Sequence, residues 1–570
     1  MGRRLLAYPT PLLSGYSMLR KSPCLLILAY ALLSVLGPTE RVTFAQLRMI
    51  TYNTANGTFP FFPPDTIQDP NPRTGMDNVL QAIADEVTNG IAKPIDVLIF
   101  QEHDEPDTTT QDFVDLLDGI YGAGTYGRST VITLPNFTTN IRQTLVYNTN
   151  TLSLIHEVAF GTTSSTAAAR QTARFKLRPV GYDDSADFYI YNSHYKAGST
   201  CCGATSDQAR RNFEANTIRT NSDNALGQDT HAIYAGDFNI RSSSEDMYQT
   251  LLAAGNGQAF DPISTPGNWN FNSGFAAVHT QSPSDGTGTG VLTGGGMNDR
   301  FDFQLVTGEF LDNEGLSYIT GSYHAFGNDG VSFNGAINNT FVDRSQSASV
   351  LNALASVSDH LPVVADYQLP AKMEVTLGAF PTMVNLGDTV NVDVFVENIA
   401  PVLFANGADE LDYDITLSDD LLGGDPNQVA LALAGASSHQ ISFDTSTTGM
   451  KSGTLTVASD SQSVMDGMFA MLFQYEVVDP GGGFLEADFN EDTFVDSADL
   501  AQWEGDYGVN GDSDANGDGN SDGDDFLFWQ RQFSQSTLLT VASQAVPEPA
   551  TALLLLLSLS WLSTRRKFSS

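Results

Sequence analysis

Between Leu47 and Leu369 the chain carries a series of short apolar runs, each of strand length and each ending in, or opening onto, an acidic, amide or imidazole side chain. Leu47–Asn53 ends in Asn53, Ile95–Glu102 in Glu102, Tyr189–His194 in His194, and Ala232–Asn239 in Asp237 and Asn239. Arg300–Phe303 carries Asp302, and Ser358–Pro362 carries Asp359 and His360 ahead of the run Leu361–Ala365. Runs of this length, rich in β-branched and aromatic residues, read as strands. Helical spacing falls between them, with Val79, Ile83, Glu86 and Val87 on one face of Met76–Val87 and a polar helix over Asp207–Thr220. Interleaved strands and helices predict sheets covered by helices, an α/β arrangement. A lone Asp or Asn at a strand end is ordinarily a turn residue. A series of them, with two histidines, is a set that can hold a hard cation and a phosphate ester together.

A chain of 570 residues exceeds a single hydrophobic core, so further units are expected. From Lys372 to Asp479 the pattern becomes strict alternation, with Val375, Leu377, Val384, Val390, Val392, Val394 and Val396 separated by polar residues. That pattern predicts a β-sandwich over residues 371–480. Gly481-Gly482-Gly483 opens a linker over residues 481–487. Residues 488–535 then repeat with a period of 26: Asp488, Asn490, Asp492, Asp496, Asp499 and Trp503 recur as Asp514, Asn516, Asp518, Asp522, Asp525 and Trp529. Oxygen side chains at the first, third, fifth, ninth and twelfth loop positions suit calcium. The first loop has Thr493 where the sixth position calls for Gly, while the second keeps Gly519.

The net charge is −40, from 67 acidic and 27 basic residues. That balance disfavours tight nonspecific binding to a polyanion and favours divalent cations. Cys24, Cys201 and Cys202 are the only cysteines, and an adjacent pair seldom bridges without strain, so neither a disulfide framework nor a thiolate zinc site is expected. Two motif matches and one neighbouring histidine are set aside on context. Gly122–Gly127 fits G-x-G-x-x-G with no strand before it, Gly519–Gly523 fits G-x-S-x-G inside the second acidic loop, and His103 reads as a neighbour of Glu102 rather than a ligand.

The ordered set Asn53, Glu102, His194, Asp237 with Asn239, Asp302, and Asp359 with His360 resembles the endonuclease/exonuclease/phosphatase superfamily over residues 46–370. The resemblance implies a deoxyribonuclease I-like four-layer α/β sandwich that hydrolyses phosphodiesters. It implies that Asn53, Glu102 and Asp359 hold magnesium or manganese, and that His194, Asp237, Asn239, Asp302 and His360 are catalytic. Arg170 stands where relatives place a phosphate-contacting arginine. Lys196 is expected at the cleft rim and Arg210-Arg211 on a solvated helix face. The repeat resembles the small helical dockerin module, which implies calcium and a cohesin-like partner.

Both chain ends resemble targeting segments. Arg20-Lys21 precede the apolar run Cys24–Leu36, and Thr43-Phe44-Ala45 reads as a cleavage site, giving a signal peptide over residues 1–45. Residues 546–570 join Val546-Pro547-Glu548-Pro549, an apolar run and Arg565-Arg566-Lys567, resembling the PEP-CTERM sorting signal of bacterial envelope proteins. This implies transient membrane association and release to the envelope, the matrix or the medium. Within the family the leading expectation is an extracellular nuclease acting on nucleic acid, and the alternative is a sphingomyelinase-like or other small phosphoester hydrolase. The exposed apolar loop that the alternative needs has a candidate in Phe59-Pro60-Phe61-Phe62, which beside its prolines also reads as buried packing. A reading of another class is a calcium-dependent adhesion or scaffold protein with a spent catalytic domain, against which the intact polar set stands.

Overall fold

The computed structural model describes residues 46–56, 72–87, 92–134, 141–227, 230–286, 292–339, 346–479 and 485–536. The export segment, Phe59–Phe62, the linker glycines and the sorting segment lie outside these residues. Among the described residues no helix is long and apolar enough to cross a membrane. The chain divides into two units. One runs through Phe380 and takes in Asn391–Ser442 and Gly453–Phe473; the other comprises Pro381–Val390, Phe443–Ser452 and the chain from Gln474.

In the first unit β1 (Leu47–Asn53), β2 (Val97–His103), β3 (Tyr126–Arg128) and β4 (Arg142–Asn148) come first in the chain. They are followed by β5 (Leu152–Phe160), β6 (Thr172–Pro179), β7 (Phe188–His194), β8 (Ala232–Asp237) and β9 (Asp302–Val306), then by β10 (His324–Ala325) and β11 (Val363–Tyr367). They form two sheets, ordered β10-β11-β1-β2-β4-β3 and β5-β6-β7-β8-β9. Each sheet has one parallel pair near its centre, with Asn53 opposite Gln101 across β1–β2 and His194 opposite Asp237 across β7–β8. Parallel neighbours end at the same edge of a sheet, so the polar strand ends of the sequence fall side by side.

The sheets face each other across one apolar core. Leu47, Met49, Val97, Ile99 and Leu145 of the first sheet meet Phe175, Phe188, Ile190, Ile233 and Val306 of the second. Alternate residues point outward under helices, as the two-residue strand period requires. Ile50, Tyr52, Leu98 and Phe100 pack against the helices Met76–Asp85, Gln111–Tyr121 and Ala348–Val357. Tyr191, Tyr234, Phe303 and Leu305 pack against Asp207–Ala225 and Asp246–Leu252. Strands buried on both faces read as continuous apolar runs, which is why their sequence signal is strong.

Two helices differ from their sequence pattern. Met76–Asp85 stops before Glu86, whose backbone is extended, and Val87 is exposed rather than on the buried face. Asp207–Ala225 runs beyond Thr220 and buries Arg210, Arg211, Glu214 and Arg219. Arg211 donates to Glu245 at 2.6 Å and to the backbone oxygens of Lys196 and Gly198 at 2.8 Å each. Arg210-Arg211 is therefore an internal clamp and not a solvated face.

Polar groups also cross between the sheets. Asn192 on β7 donates to the backbone oxygens of Phe100 and Thr144 at 2.9 Å and accepts from Gln101 at 2.8 Å. Gln304 on β9 donates to the backbone oxygens of Met49 at 3.2 Å and Val363 at 2.9 Å.

Beyond Leu369 the first unit continues in strands. Met373–Leu377 pairs antiparallel with Asn391–Asn398, which pairs in turn with Ser437–Phe443, and Val392, Val394 and Val396 are buried in alternation. Leu411–Leu417 pairs antiparallel with Asp425–Ala430 and with residues 455–459. In the second unit Met383–Asn385 pairs parallel with residues 476–478. The repeat forms the helices Ser497–Asp506 and Gly523–Gln532, each opened by a capping box, Asp496 with Asp499 and Asp522 with Asp525. The indole of Trp503 donates to the Asp522 carbonyl at 2.9 Å, and that of Trp529 to the Asp496 carbonyl at 2.8 Å.

Removing the Asn192 side chain deletes three buried hydrogen bonds, each contributing about 1 kcal/mol. Asn192→Ala is expected to lose about 3 kcal/mol of unfolding stability. Urea unfolding of the full chain, followed by near-ultraviolet circular dichroism, measures this, and an unshifted midpoint would contradict it.

Candidate active site

The residues singled out between Asn53 and His360 meet where the strand ends of the two sheets converge. Asn53, at the end of β1, donates its amide to Glu102 Oε1 at 3.3 Å and to Asp237 Oδ2 at 3.1 Å. Its carbonyl accepts from the Ser358 hydroxyl at 2.6 Å, and that hydroxyl oxygen accepts the His360 N–H at 3.0 Å. One serine thus ties the end of β1 to the Ser358-Asp359-His360 motif.

Glu102 and His194 close the set from β2 and β7. His194 Nε2 lies 3.5 Å from both Glu102 Oε1 and Asp237 Oδ2. Glu102, His194 and Asp237 each offer a ligand atom within 4.8 Å of the others, the one such group of three or more His, Cys, Asp or Glu among the described residues. The backbone is bent to present them: Glu102 has φ of 61° and Asn239 of 52°. Positive φ in residues with side chains is uncommon and gathers at functional sites.

The electrostatics separate these groups into two kinds. Burial raises the Glu102 carboxyl, and Asp359 raises it further, against Arg170, His360 and the Asn53 amide. Burial pushes Asp237 up to about 7, opposed by His360 and reinforced by Asp302 and Glu102. Both carboxylates are short of positive charge, and Glu102 and Asp237 offer hard oxygens beside the His194 ring nitrogen, so these residues fit a divalent cation. Burial also drives His194 well below the ordinary imidazole value, helped by Arg170, His360 and Lys196, so this ring is neutral. Its Nδ1 is buried and unpartnered.

His360 behaves in the opposite way. Burial pushes it down, but Asp302, Asp237 and Asp359 together hold it well above the ordinary value. Its Nδ1 lies 2.7 Å from Asp302 Oδ2. Asp302 itself opens β9 opposite Asp237. A carboxylate at this distance fixes the ring orientation and keeps it charged.

The remaining residues of the set border these. Asp359 Oδ2 accepts the Thr293 N–H at 2.9 Å. The Asn239 amide donates to the Tyr195 carbonyl at 3.2 Å. Arg170 is half-buried, donates to the carbonyls of His194 at 3.2 Å and Tyr195 at 2.8 Å, and leaves its Nε buried without a partner. Lys196 Nζ is taken up by Asp207 at 2.9 Å. His103 faces away from this centre: it stacks on Phe100 and Phe113 and lies 2.9 Å from the Thr110 hydroxyl.

Three further residues support the centre. Gln281 places its amide 2.9 Å from His360 Nε2. Thr293 meets Asp359 as described. Glu214 accepts the N–H groups of Ala169 at 2.7 Å, Arg170 at 3.2 Å and Lys196 at 3.0 Å, fixing the Arg170 segment against the end of β7. Gln281 and Thr293 lie in loops without a pattern to mark them, and Glu214 lies on a helix that reads as polar throughout.

The acidic loops of the repeat lie in the second unit. Asp488 accepts N–H groups from Asp492 at 3.1 Å and Thr493 at 2.8 Å, and Asp514 accepts from Gly517 at 2.7 Å, Asp518 at 3.1 Å and Gly519 at 2.6 Å. Asn490 and Asn516 each accept the N–H two residues on, from Asp492 and Asp518, at 2.9 Å. Asp499 and Asp525 each bind their own N-cap N–H, at Asp496 and Asp522. Thr493 takes φ of 78° and Gly519 of 87°, so both loops make the same left-handed turn and only the first makes it with a side chain.

Gly236 sets how closely β7 and β8 approach. A Cβ there would stand 1.8 Å from the Ser193 carbonyl oxygen, at a φ of 137°. Gly236→Ala is expected to part the ends of these strands and cost upwards of about 3 kcal/mol. Gly119→Ala, where nothing lies within 4 Å, is the control that leaves stability unchanged or slightly raised. Thermal unfolding of both variants checks this, and equal midpoints would contradict it.

No curated protein sequence matches the chain. Among solved structures, an endonuclease/exonuclease/phosphatase from Bacteroides vulgatus is 16% identical, with 57% of this chain and 99% of that one covered and a TM-score of 0.35. A mannosyl-6-phosphatase from Bacteroides thetaiotaomicron is 13% identical, with 56% and 99% covered and a TM-score of 0.34. Sphingomyelinase C from Streptomyces griseocarneus is 14% identical, with 56% and 99% covered and a TM-score of 0.33. The sequence profile of the Endonuclease/Exonuclease/phosphatase family matches residues 50–360, more than half of the chain, from within β1 to His360. With that match over the residues that build the polar centre, the chain belongs to the endonuclease/exonuclease/phosphatase family of metal-dependent phosphoester hydrolases.

Proposed function

We propose that the protein is an exported, divalent-metal-dependent phosphodiesterase, foremost an extracellular nuclease, that hydrolyses phosphodiester bonds by attack of water. The observation that carries this reading is the meeting of two carboxylates of raised pKa, Glu102 and Asp237, with a neutral His194 and a His360 held charged by Asp302. Phosphodiester hydrolysis needs that combination: a seat for a cation, a base for water, and donors for the oxygens that gain charge.

Glu102, with Asn53 and Asp359, would hold magnesium or manganese, whose preference is for oxygen donors. A cation bound there supplies Lewis-acid stabilisation of the phosphoryl oxygens. Asp237, whose carboxyl burial pushes up, orients the water and takes its proton. Asn239 and Arg170 contact the phosphoryl oxygens. The charged His360, oriented by Asp302, donates to the same group, and His194 is the donor on the other side, toward the leaving oxygen.

The charge balance favours a second reading. Residues 47–370 hold 16 Lys and Arg against 35 Asp and Glu. A polymer of phosphates meets more repulsion from such a surface than a single phosphoester does. A sphingomyelinase-like or other small phosphoester hydrolase of the same family is therefore the alternative substrate class. In this proposal residues 46–370 form the catalytic domain, residues 371–480 a β-sandwich and residues 488–535 a dockerin-like calcium module with a cohesin-like partner. Residues 1–45 direct export, and residues 546–570 hold the chain at the membrane before release.

Purified protein assayed on DNA, RNA, sphingomyelin and inositol phosphates is expected to hydrolyse at least one of them with magnesium or manganese and none with chelator. His360→Ala is expected to lower turnover by about 10²–10⁴-fold. Undiminished turnover in that variant, or no metal-dependent hydrolysis of any substrate, would sink the reading. For the repeat, calorimetry should show calcium uptake by the full chain that falls in the Asp488→Ala, Asp514→Ala double variant; identical isotherms would reject the calcium module.

A further inference from the structure

Cys201 and Cys202 take no part in the centre described above. Both are free and exposed, and their Sγ atoms lie 2.7 Å apart, closer than van der Waals contact between sulfurs. In extended backbone, successive side chains point to opposite faces. Here Cys202 has φ of 70°, in the left-handed region that residues with side chains seldom enter, and that turn accompanies the meeting of the second thiol with the first.

The loop that carries the pair is fixed on both sides. Asp207 Oδ2 accepts the Thr200 N–H at 3.1 Å and its hydroxyl at 2.7 Å. The Thr200 carbonyl accepts from Gln208 N at 3.2 Å, and the Gly203 carbonyl from Ser206 N at 3.0 Å. The two thiols are thus presented to solvent on an anchored turn, already in contact, with little ordering left to do.

We propose that Cys201 and Cys202 form a reversible redox site, a vicinal dithiol that a low-molecular-weight disulfide converts to a disulfide within the loop between β7 and the helix Asp207–Ala225. The thiolate of one cysteine attacks a sulfur of oxidised glutathione, breaks its S–S bond and releases one glutathione as thiolate. The thiolate of the other cysteine then attacks the protein sulfur of that mixed disulfide and releases the second glutathione. The protein loses two electrons and two protons, and oxidised glutathione gains them as two molecules of reduced glutathione. Cα atoms across a trans peptide are about 3.8 Å apart. Unstrained bridges begin near about 4.4 Å, so this bond is strained and readily reduced. The site is therefore a switch rather than a structural staple. Its anchor, Asp207, also holds Lys196, two residues beyond His194, at 2.9 Å.

The test is peptide-level mass spectrometry of the full chain after incubation with oxidised glutathione, which separates this pair from Cys24. The peptide containing Cys201 and Cys202 is expected to lose the mass of two hydrogen atoms, and dithiothreitol to restore it. Cys201→Ser and Cys202→Ser, each lacking the resolving thiol, are expected to keep a glutathione adduct on the remaining cysteine. A wild-type peptide that stays reduced in excess oxidant, that keeps the adduct, or that cross-links two chains would overturn the proposal. None of these readings depends on which phosphoester the enzyme cleaves.

Discussion

The position of one sheet on the other rests on buried amides, and the polar centre inherits its geometry from them. Aliphatic packing between Leu47, Met49, Phe188 and Ile190 drives the sheets together but is non-directional. Asn192 and Gln304 add direction, because each reaches across the core to carbonyl oxygens of the facing sheet. Their places in the sequence matter. Asn192 precedes His194 by two residues, Gln101 precedes Glu102 by one, and Gln304 follows Asp302 by two. Polar groups inside a core are costly unless satisfied, and the amides of Asn192 and Gln304 are satisfied when the sheets stand in this one relation. The same bonds that select the stacking therefore set the separation of Glu102, His194 and Asp302.

That fixed separation is what makes the electrostatics possible. Four carboxylates, Glu102, Asp237, Asp302 and Asp359, surround a space that would repel them if they were free to move apart. Asp302 is matched with His360 at 2.7 Å, while Glu102 and Asp237 share the Asn53 amide and the His194 ring. The centre is thus divided into a side with its cation built in and a side that lacks one. The positive φ at Glu102 and Asn239 shows the backbone giving up local comfort to hold this division.

The strands that carry the centre are legible in the sequence because each is apolar until it leaves the core. Leu47–Asn53 and Ala232–Asp237 end at the polar residue that ends the run, and β7 ends at His194 as read. The gathering of Asn53, Glu102, His194, Asp237, Asp302 and His360 at one place follows from those ends once the parallel pairs are formed. Other features leave no periodic trace. Gln281 is a lone amide in a loop, brought to His360 by backbone pairing far from it in sequence. The helix Asp207–Ala225 buries a face made of arginines and Glu214, so its inner side reads as solvent-facing. Arg170 shows the same effect: its role in closing the His194 strand end depends on Glu214, which no local pattern couples to it.

The repeat illustrates how a duplicated sequence becomes one structural unit rather than two. Each repeat contributes a tryptophan at equivalent positions, and each indole donates to the N-cap carbonyl of the other repeat's helix. Asp496 and Asp522 therefore have two duties, capping their own helix through the side chain and receiving the partner's tryptophan through the carbonyl. Asp499 and Asp525, fully buried, bind both the loop and that cap: Asp499 accepts from Asn490 N and Asp496 N, and Asp525 from Asn516 N and Asp522 N. Loop, cap and opposing tryptophan are linked in series in both directions. The first loop, whose left-handed turn is made by Thr493, is thereby joined to the second repeat through the Asp496 carbonyl and Trp529.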